Sequence, residues 1–126
     1  MMQNKNKSER TIGNTGEDFA SLLLSKDGYN ILCRNYTCRG GEIDIIASKE
    51  NYICFIEVKL RSMSSGVCAR EAVDEKKMSR MKIAAENFLQ EFCDNKYISC
   101  LVTRFDCIEL YTSKNLIKTY NHIKDI

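Results

Sequence analysis

Two short runs constrain this chain more than anything else in it: residues 41–46 read GEIDII and residues 55–59 read FIEVK. Residues of this kind, dense in isoleucine, valine and phenylalanine, favour the pleated, half-buried surface of a β-strand. Lys49 to Asn51 between them form a tight turn, so the two runs are expected to pair as neighbouring strands. Yet Asp44, Glu57 and Lys59 lie inside these runs, and a carboxylate flanked by Ile43, Ile45 and Ile46 has little water around it. Unpaired burial of such a charge is costly, which calls for a cation or a hydrogen-bonding partner. Side chains two apart on a strand share a face, so Glu57 and Lys59 project together while Val58 points to the opposite layer. If the turn sets the register, Asp44 lies across from Glu57, close enough to share one divalent ion. Hard oxygen ligands suit Mg2+ or Mn2+, which keep several waters and accept phosphate oxygens in the remaining positions. Such an ion polarises phosphorus and supplies a hydroxide nucleophile. Lys59 then has two roles open to it, orienting or deprotonating the attacking water, or offsetting charge on the phosphate, and the second suits a lysine that keeps its proton. The plainer alternative is an exposed Glu57–Lys59 ion pair, with Asp44 capping the turn or paired to Arg34 or Arg39.

The 126 residues suit one domain with a single core. Residues 1–12 are read as a flexible tail and 13–126 as the domain. No apolar run approaches the length that crosses a bilayer, and the polar, basic start has no apolar segment behind it, so a cytoplasmic protein is expected. The seven cysteines are odd in number and contain no C-x-x-C, which favours reduced thiols over disulfides, zinc or a cluster. A net charge of +2 is too small to argue for nucleic acid by itself. Any such footprint must come from where the charges lie.

Along the chain, Asn14 to Gly16 can cap a helix with Glu17 and Asp18 in its first turn, ending near Asp27 before Gly28. Residues 29–35, 42–48 and 52–60 read as three successive strands, with 37–41 a glycine-containing turn. Residues 61–73 lapse into a loop, after which Met78, Met81, Ala85, Phe88, Leu89 and Phe92 follow helical spacing. Residues 97–111 read as a long, bent or bulged strand, and 116–126 as a short helix or an edge strand. The sum is an α/β layered domain, apolar helix faces laid on a mixed sheet.

Several blocks, taken in order, resemble a known family. GEDFA, LLLSKDGYNILCRN, GEIDIIA, FIEVKLRS, EAV with KK-x-x-R, and RFD are similar to the bacterial YraN (UPF0102) family, over residues 13 to about 110. Its members look like nucleases of the restriction-endonuclease-like PD-(D/E)XK superfamily and resemble archaeal Holliday junction resolvases. The resemblance implies a restriction-endonuclease-like domain of order α-β-β-β-α-β. It makes Asp44 the strand aspartate, Glu57 and Lys59 the E-x-K pair, and Glu17 the helix acid that completes such sites, with Asp44 and Glu57 holding Mg2+ or Mn2+. The implied activity is endonucleolytic hydrolysis of DNA, structured or branched, in preference to RNA, by a C2 homodimer. A non-catalytic nucleic-acid-binding or scaffolding module that keeps the fold is the alternative. Residues 62–70 depart from the family's glycine and proline pattern before EAV.

Around this centre, Gly40 beside Arg39 either forms the turn or lets a phosphate approach the backbone. Arg61, Lys76, Lys77 and Arg80 border the site and are candidates to track a nucleic-acid backbone, against the usual fate of such charges as a solvated face. Arg104 and Asp106 are expected to form a structural ion pair that braces the sheet. His122, beyond the last block, is expected to be exposed.

Overall fold

The computed structural model describes residues 12–63 and 73–126. Helix α1 spans Ile12–Lys26 and leads into three antiparallel strands, β1 (Asn30–Cys38), β2 (Gly41–Lys49) and β3 (Tyr52–Ser62). Helix α2 (Glu75–Glu91) and the one-turn helix α3 (Lys96–Ser99) carry the chain back to β4 (Val102–Ser113), which runs parallel to β3. Strand β5 (Leu116–Ile123) pairs antiparallel with β4 and closes a sheet ordered β1-β2-β3-β4-β5. The expected order α-β-β-β-α-β is thus present in a mixed sheet flanked by helices, with α3 and β5 added to it.

Strand β3 reads as an almost continuous apolar run because both of its faces are covered, as expected of a strand with a parallel neighbour. Cys54 and Ile56 pack with Ala20, Leu24 and Ile108 under α1. Ile53 and Phe55 pack with Met81, Ala84 and Phe88 under α2. Each helix thus seals one layer of core against the same central strand.

Three expectations are corrected at the element ends. Helix α1 begins at Ile12, so Glu17 and Asp18 fall beyond its first turn and Asn14–Gly16 lie within the helix. A helical Gly16 is tolerated because a Cβ there would meet Leu60 and Leu110 at 3.3 Å, where the helix crosses the sheet. Ile12 is the first described residue and lies in this helix, and the rest of the expected tail lies outside the described residues. Residues 96–99 are helical, started by the Asn95 side chain accepting from the Ile98 N–H at 3.0 Å, so the strand expected from Tyr97 starts at Val102. The bulge expected in it lies between Tyr111 and Thr112. Within the expected loop at 61–73, Arg61 and Ser62 extend β3, and residues 64–72 lie outside the described residues.

The Arg104–Asp106 ion pair is present and larger than expected. Asp106 is fully buried and accepts from Arg104 Nε (2.9 Å) and Nη2 (2.8 Å) and from the Asp125 N–H (3.0 Å). His122 Nε2 stands 2.8 Å from the same carboxylate, so the histidine expected at the surface is instead 14% exposed and tied into the fold. Burial alone would raise the Asp106 pKa; the bonds from His122, Arg104 and Asp125 outweigh it and hold the carboxyl below its ordinary value. Arg104 also donates to the Tyr29 hydroxyl at 2.8 Å, linking β4 to the start of β1.

The sheet forks at one place. Strands β2 and β3 pair from Lys49↔Tyr52 only as far as Ile45↔Ile56. Beyond that point β2 stays with β1 down to Cys38↔Gly41, while β3 stays with β4 out to Ser62↔Thr112. Helix α2 lies directly on the β2 arm: a Cβ on Gly41 would stand 2.6 Å from the Arg80 carbonyl and 2.7 Å from the Ala84 nitrogen. Both are backbone atoms and cannot swing aside. Gly41→Ala is therefore expected to push α2 off the sheet and lower stability by about 1–3 kcal/mol, the usual cost of overpacking. Urea denaturation would read this as a lower midpoint, and an unchanged midpoint would contradict the packing described.

Candidate active site

The fork brings the predicted acids together. Asp44 is the first β2 residue past the last paired position, and Glu57 is its counterpart on β3. Because β3 has parted from β2 here, the Val58 N–H lacks a strand partner on that side, and Asp44 Oδ2 accepts it at 2.8 Å. The apolar alternation also reverses at Asp44. Ile45 packs in the layer under α1 and Ile43, two residues away, in the layer under α2. Asp44 thus sits where β2 changes face.

Glu57 is 7% exposed, and its Oε1 is buried without a hydrogen-bond partner among the described residues. Its pKa is pushed up to about 7, first by burial and then by the neighbouring Asp44 charge, with Lys77 working against both. Glu17, on α1, also has a buried Oε1 without a hydrogen-bond partner and a pKa raised by burial and then by Asp44. Arg34 opposes that rise, lying 3.9 Å from Glu17 and 2.8 Å from Asp18. The acids thus approach the fork from two sides: Glu17 from α1, Glu57 facing α2, and Asp44 between them. Among the described residues no three of His, Cys, Asp and Glu form a ready ligand group, and Glu17 stands near enough to Asp44 to feel its charge.

Lys59 is half-buried and makes no ion pair or hydrogen bond among the described residues. The exposed Glu57–Lys59 pair and the Asp44–Arg34 pair allowed by the sequence are thus both absent, since Glu57 is buried and Arg34 is held by Asp18. Lys77 instead reaches from α2 into the fork, donating to Glu42 Oε2 at 2.8 Å and standing 3.5 Å from Glu57 Oε1. Burial works to lower the Lys77 pKa, but the Glu42 bond and the charges of Glu57, Glu42 and Asp44 outweigh it and raise the value. Glu42 is correspondingly lowered by its bond to Lys77, and Arg80 lies 3.5 Å from its other oxygen.

The other basic candidates divide. Arg39 and Gly40 form the exposed β1–β2 turn, and Lys76 is exposed at the start of α2. Arg61 is held by Glu109, a carboxylate only 2% exposed, at 3.1 Å, and the Tyr111 hydroxyl donates to the same acid at 2.7 Å. Glu42 and Glu109 were not singled out from the sequence. Glu109 carried a signal in principle, since it stands among Ile108, Leu110 and Tyr111 as Asp44 stands among isoleucines. Glu42 carried none, being the polar first step of a strand. The six cysteines among the described residues are free thiols, Cys54 and Cys107 being buried with pKa values raised by that burial. Among the described residues no helix is long and apolar enough to cross a membrane.

Fold and site together define an α/β domain whose mixed sheet forks around an acidic pair, with Lys77 3.5 Å from Glu57 and Lys59 without an ion pair among the described residues. The chain belongs to the family described as Uncharacterised protein family UPF0102, whose profile matches residues 16–110. It is 40% identical over 119 residues to a UPF0102 protein of Caldicellulosiruptor saccharolyticus, covering 94% of this chain and 98% of that relative. To a UPF0102 protein of Clostridium perfringens strain SM101 it is 44% identical over 105 residues, 82% of each chain. A UPF0102 protein of Acetivibrio thermocellus is 41% identical over 112 residues, 88% of this chain and 82% of the relative.

The raised Glu57 pKa sets a pH signature. The folded state holds the Glu57 proton more tightly than an unfolded glutamate near 4.5, so this group favours the fold fully below that value and loses the contribution as pH rises through about 7. Glu57→Gln keeps the neutral form at every pH. In chelator-treated protein it should melt close to wild type at pH 4 and above it at pH 8, by on the order of 2 kcal/mol. Melting curves from pH 4 to 9 check this; a gap that does not widen with pH would remove the basis for the shift.

Proposed function

We propose that this protein is a metal-dependent endonuclease that hydrolyses phosphodiester bonds in DNA, with structured or branched DNA as its substrate. The observation that carries the proposal is the Glu57 Oε1 atom, buried beside Asp44 with no hydrogen-bond partner among the described residues and only the Lys77 ammonium near it, at 3.5 Å. A buried carboxylate left in this condition costs stability, and such a site is kept where the chemistry uses it. The donors fit the expected ion: two hard carboxylates suit Mg2+ or Mn2+, which take one or two protein oxygens and leave the remaining positions to water and phosphate. Asp44 and Glu57 would hold that ion, which when bound supplies Lewis acidity at the phosphate.

The chain's own groups supply the rest. Lys59 lies two residues from Glu57 on the same strand, and with no ion pair among the described residues its ammonium is available to offset charge gathering on the phosphate in the transition state. Glu17 adds negative charge on the α1 side that favours retention of a cation. Arg39 and Gly40 at the hairpin tip, with Lys76 and Arg80 on α2, are suited to sugar-phosphate contacts that position a duplex without reading its sequence. Arg61 serves this less directly, because Glu109 holds it. The likeness of the family's members to Holliday junction resolvases supports branched DNA, and cutting two strands calls for two sites, hence a C2 pair of chains.

Purified protein incubated with labelled four-way, flapped and linear duplexes should cut branched DNA when Mg2+ or Mn2+ is added, and EDTA should abolish cleavage. Asp44→Asn, which keeps an oxygen for the Val58 N–H, and Glu57→Gln should each lower the rate by about 10³-fold, and Lys59→Met by about 10²-fold. DNA binding that survives these substitutions without any cleavage by wild type would identify a non-catalytic binding module instead.

A further inference from the structure

We infer that Lys77 is the resident counter-ion of the acidic pair, an ammonium that opposes a divalent cation at Glu57 and is taken over by Glu42 when that cation binds. The inference rests on Asp44 and Glu57 being the metal ligands and adds a residue that sets how tightly they bind.

The placement of Lys77 is built, not incidental. It lies in the first turn of α2, where its own N–H is held by the Asp74 side chain at 2.7 Å, so the backbone from which it projects is anchored. The side chain runs inward to 22% exposure, in contrast to the exposed Lys76 beside it. Its Nζ then meets two carboxylates unequally, with a 2.8 Å hydrogen bond to Glu42 and a 3.5 Å approach to Glu57 Oε1, the oxygen that has no hydrogen-bond partner. The contact with Glu57 is therefore electrostatic and the weaker of the two.

That asymmetry decides what happens when a second cation arrives. A divalent ion on Glu57 and an ammonium 3.5 Å from the same carboxylate repel each other, and in a partly desolvated site the repulsion is only weakly screened. Lys77 can retreat without being stranded, since Glu42 already holds it, while Arg80 at 3.5 Å from the other Glu42 oxygen helps keep that carboxylate ionised. Ion binding at the fork thereby alters the tether between the start of α2 and β3. The two lysines divide the work: Lys77 balances the acids before the ion is bound, and Lys59 remains for the phosphate.

Calorimetric titration with Mn2+, without DNA, reads this directly. Lys77→Met should bind Mn2+ about tenfold or more tightly than wild type, Lys77→Gln should follow it if the methionine variant does not fold, and Lys77→Arg should stay near wild type. Adding Asp44→Asn to the neutral variant should remove the gain. Affinity unchanged or weakened by either folded neutral variant, while wild type binds Mn2+ through Asp44, overturns the counter-ion role and leaves the nuclease reading standing. No Mn2+ binding by wild type or by any neutral variant overturns both. Mn2+ binding by the neutral variants alone supports the inference in its strongest form.

Discussion

A fully paired antiparallel hairpin would leave no room for the chemistry proposed here, because every N–H and C=O facing the partner strand would be spent on the ladder. Parting of β2 from β3 beyond Ile45 and Ile56 changes that. The Val58 N–H loses its strand partner, Asp44 turns its carboxylate to accept it, and the buried Glu57 comes to lie beside Asp44 at the fork. Helix α2 can reach the fork only because Gly41 lets its backbone rest on the β2 arm. The fork thus sets the position of both acids, the approach of Lys77 and the packing of α2.

The fold buries two carboxylates in opposite ways. Asp106 receives Arg104, His122 and a backbone N–H and is held ionised, the arrangement expected of a group that braces β4 and β5. Glu57 receives one distant ammonium, keeps an oxygen without a bond and has its pKa pushed up. Both acids are buried, and what separates them is satisfaction: one carboxylate has its oxygens bonded, the other keeps an oxygen without a hydrogen bond among the described residues. The same contrast separates Arg61, spent on Glu109, from Lys59, which has no such partner among the described residues.

Much of this was legible in residue order. Runs of β-branched and aromatic residues marked β2 and β3, the short turn at Lys49 to Asn51 put Asp44 near Glu57, and three-and-four spacing marked α2 with Met81 and Phe88 inward. What could not be read was how the elements rotate against one another. Nothing local distinguishes Lys77 from Lys76, and the seating of α2 on Gly41 and Ala84 turns only one of them inward. His122 looked like a terminal surface residue until β5 paired with β4 and carried it onto Asp106.

By itself the sequence determined the strands, the helix faces and the presence of charge where strands should be apolar, because these depend on side-chain periodicity and on the cost of burying an ion. Only the tertiary structure decided where the strands part, that Ile43 and Ile45 face different helices, and that Lys77 and Glu42 join the acidic pair. Those features arise from contacts between residues distant along the chain. Their geometry is set when two helices pack on opposite faces of one sheet, and it is not encoded in any local spacing.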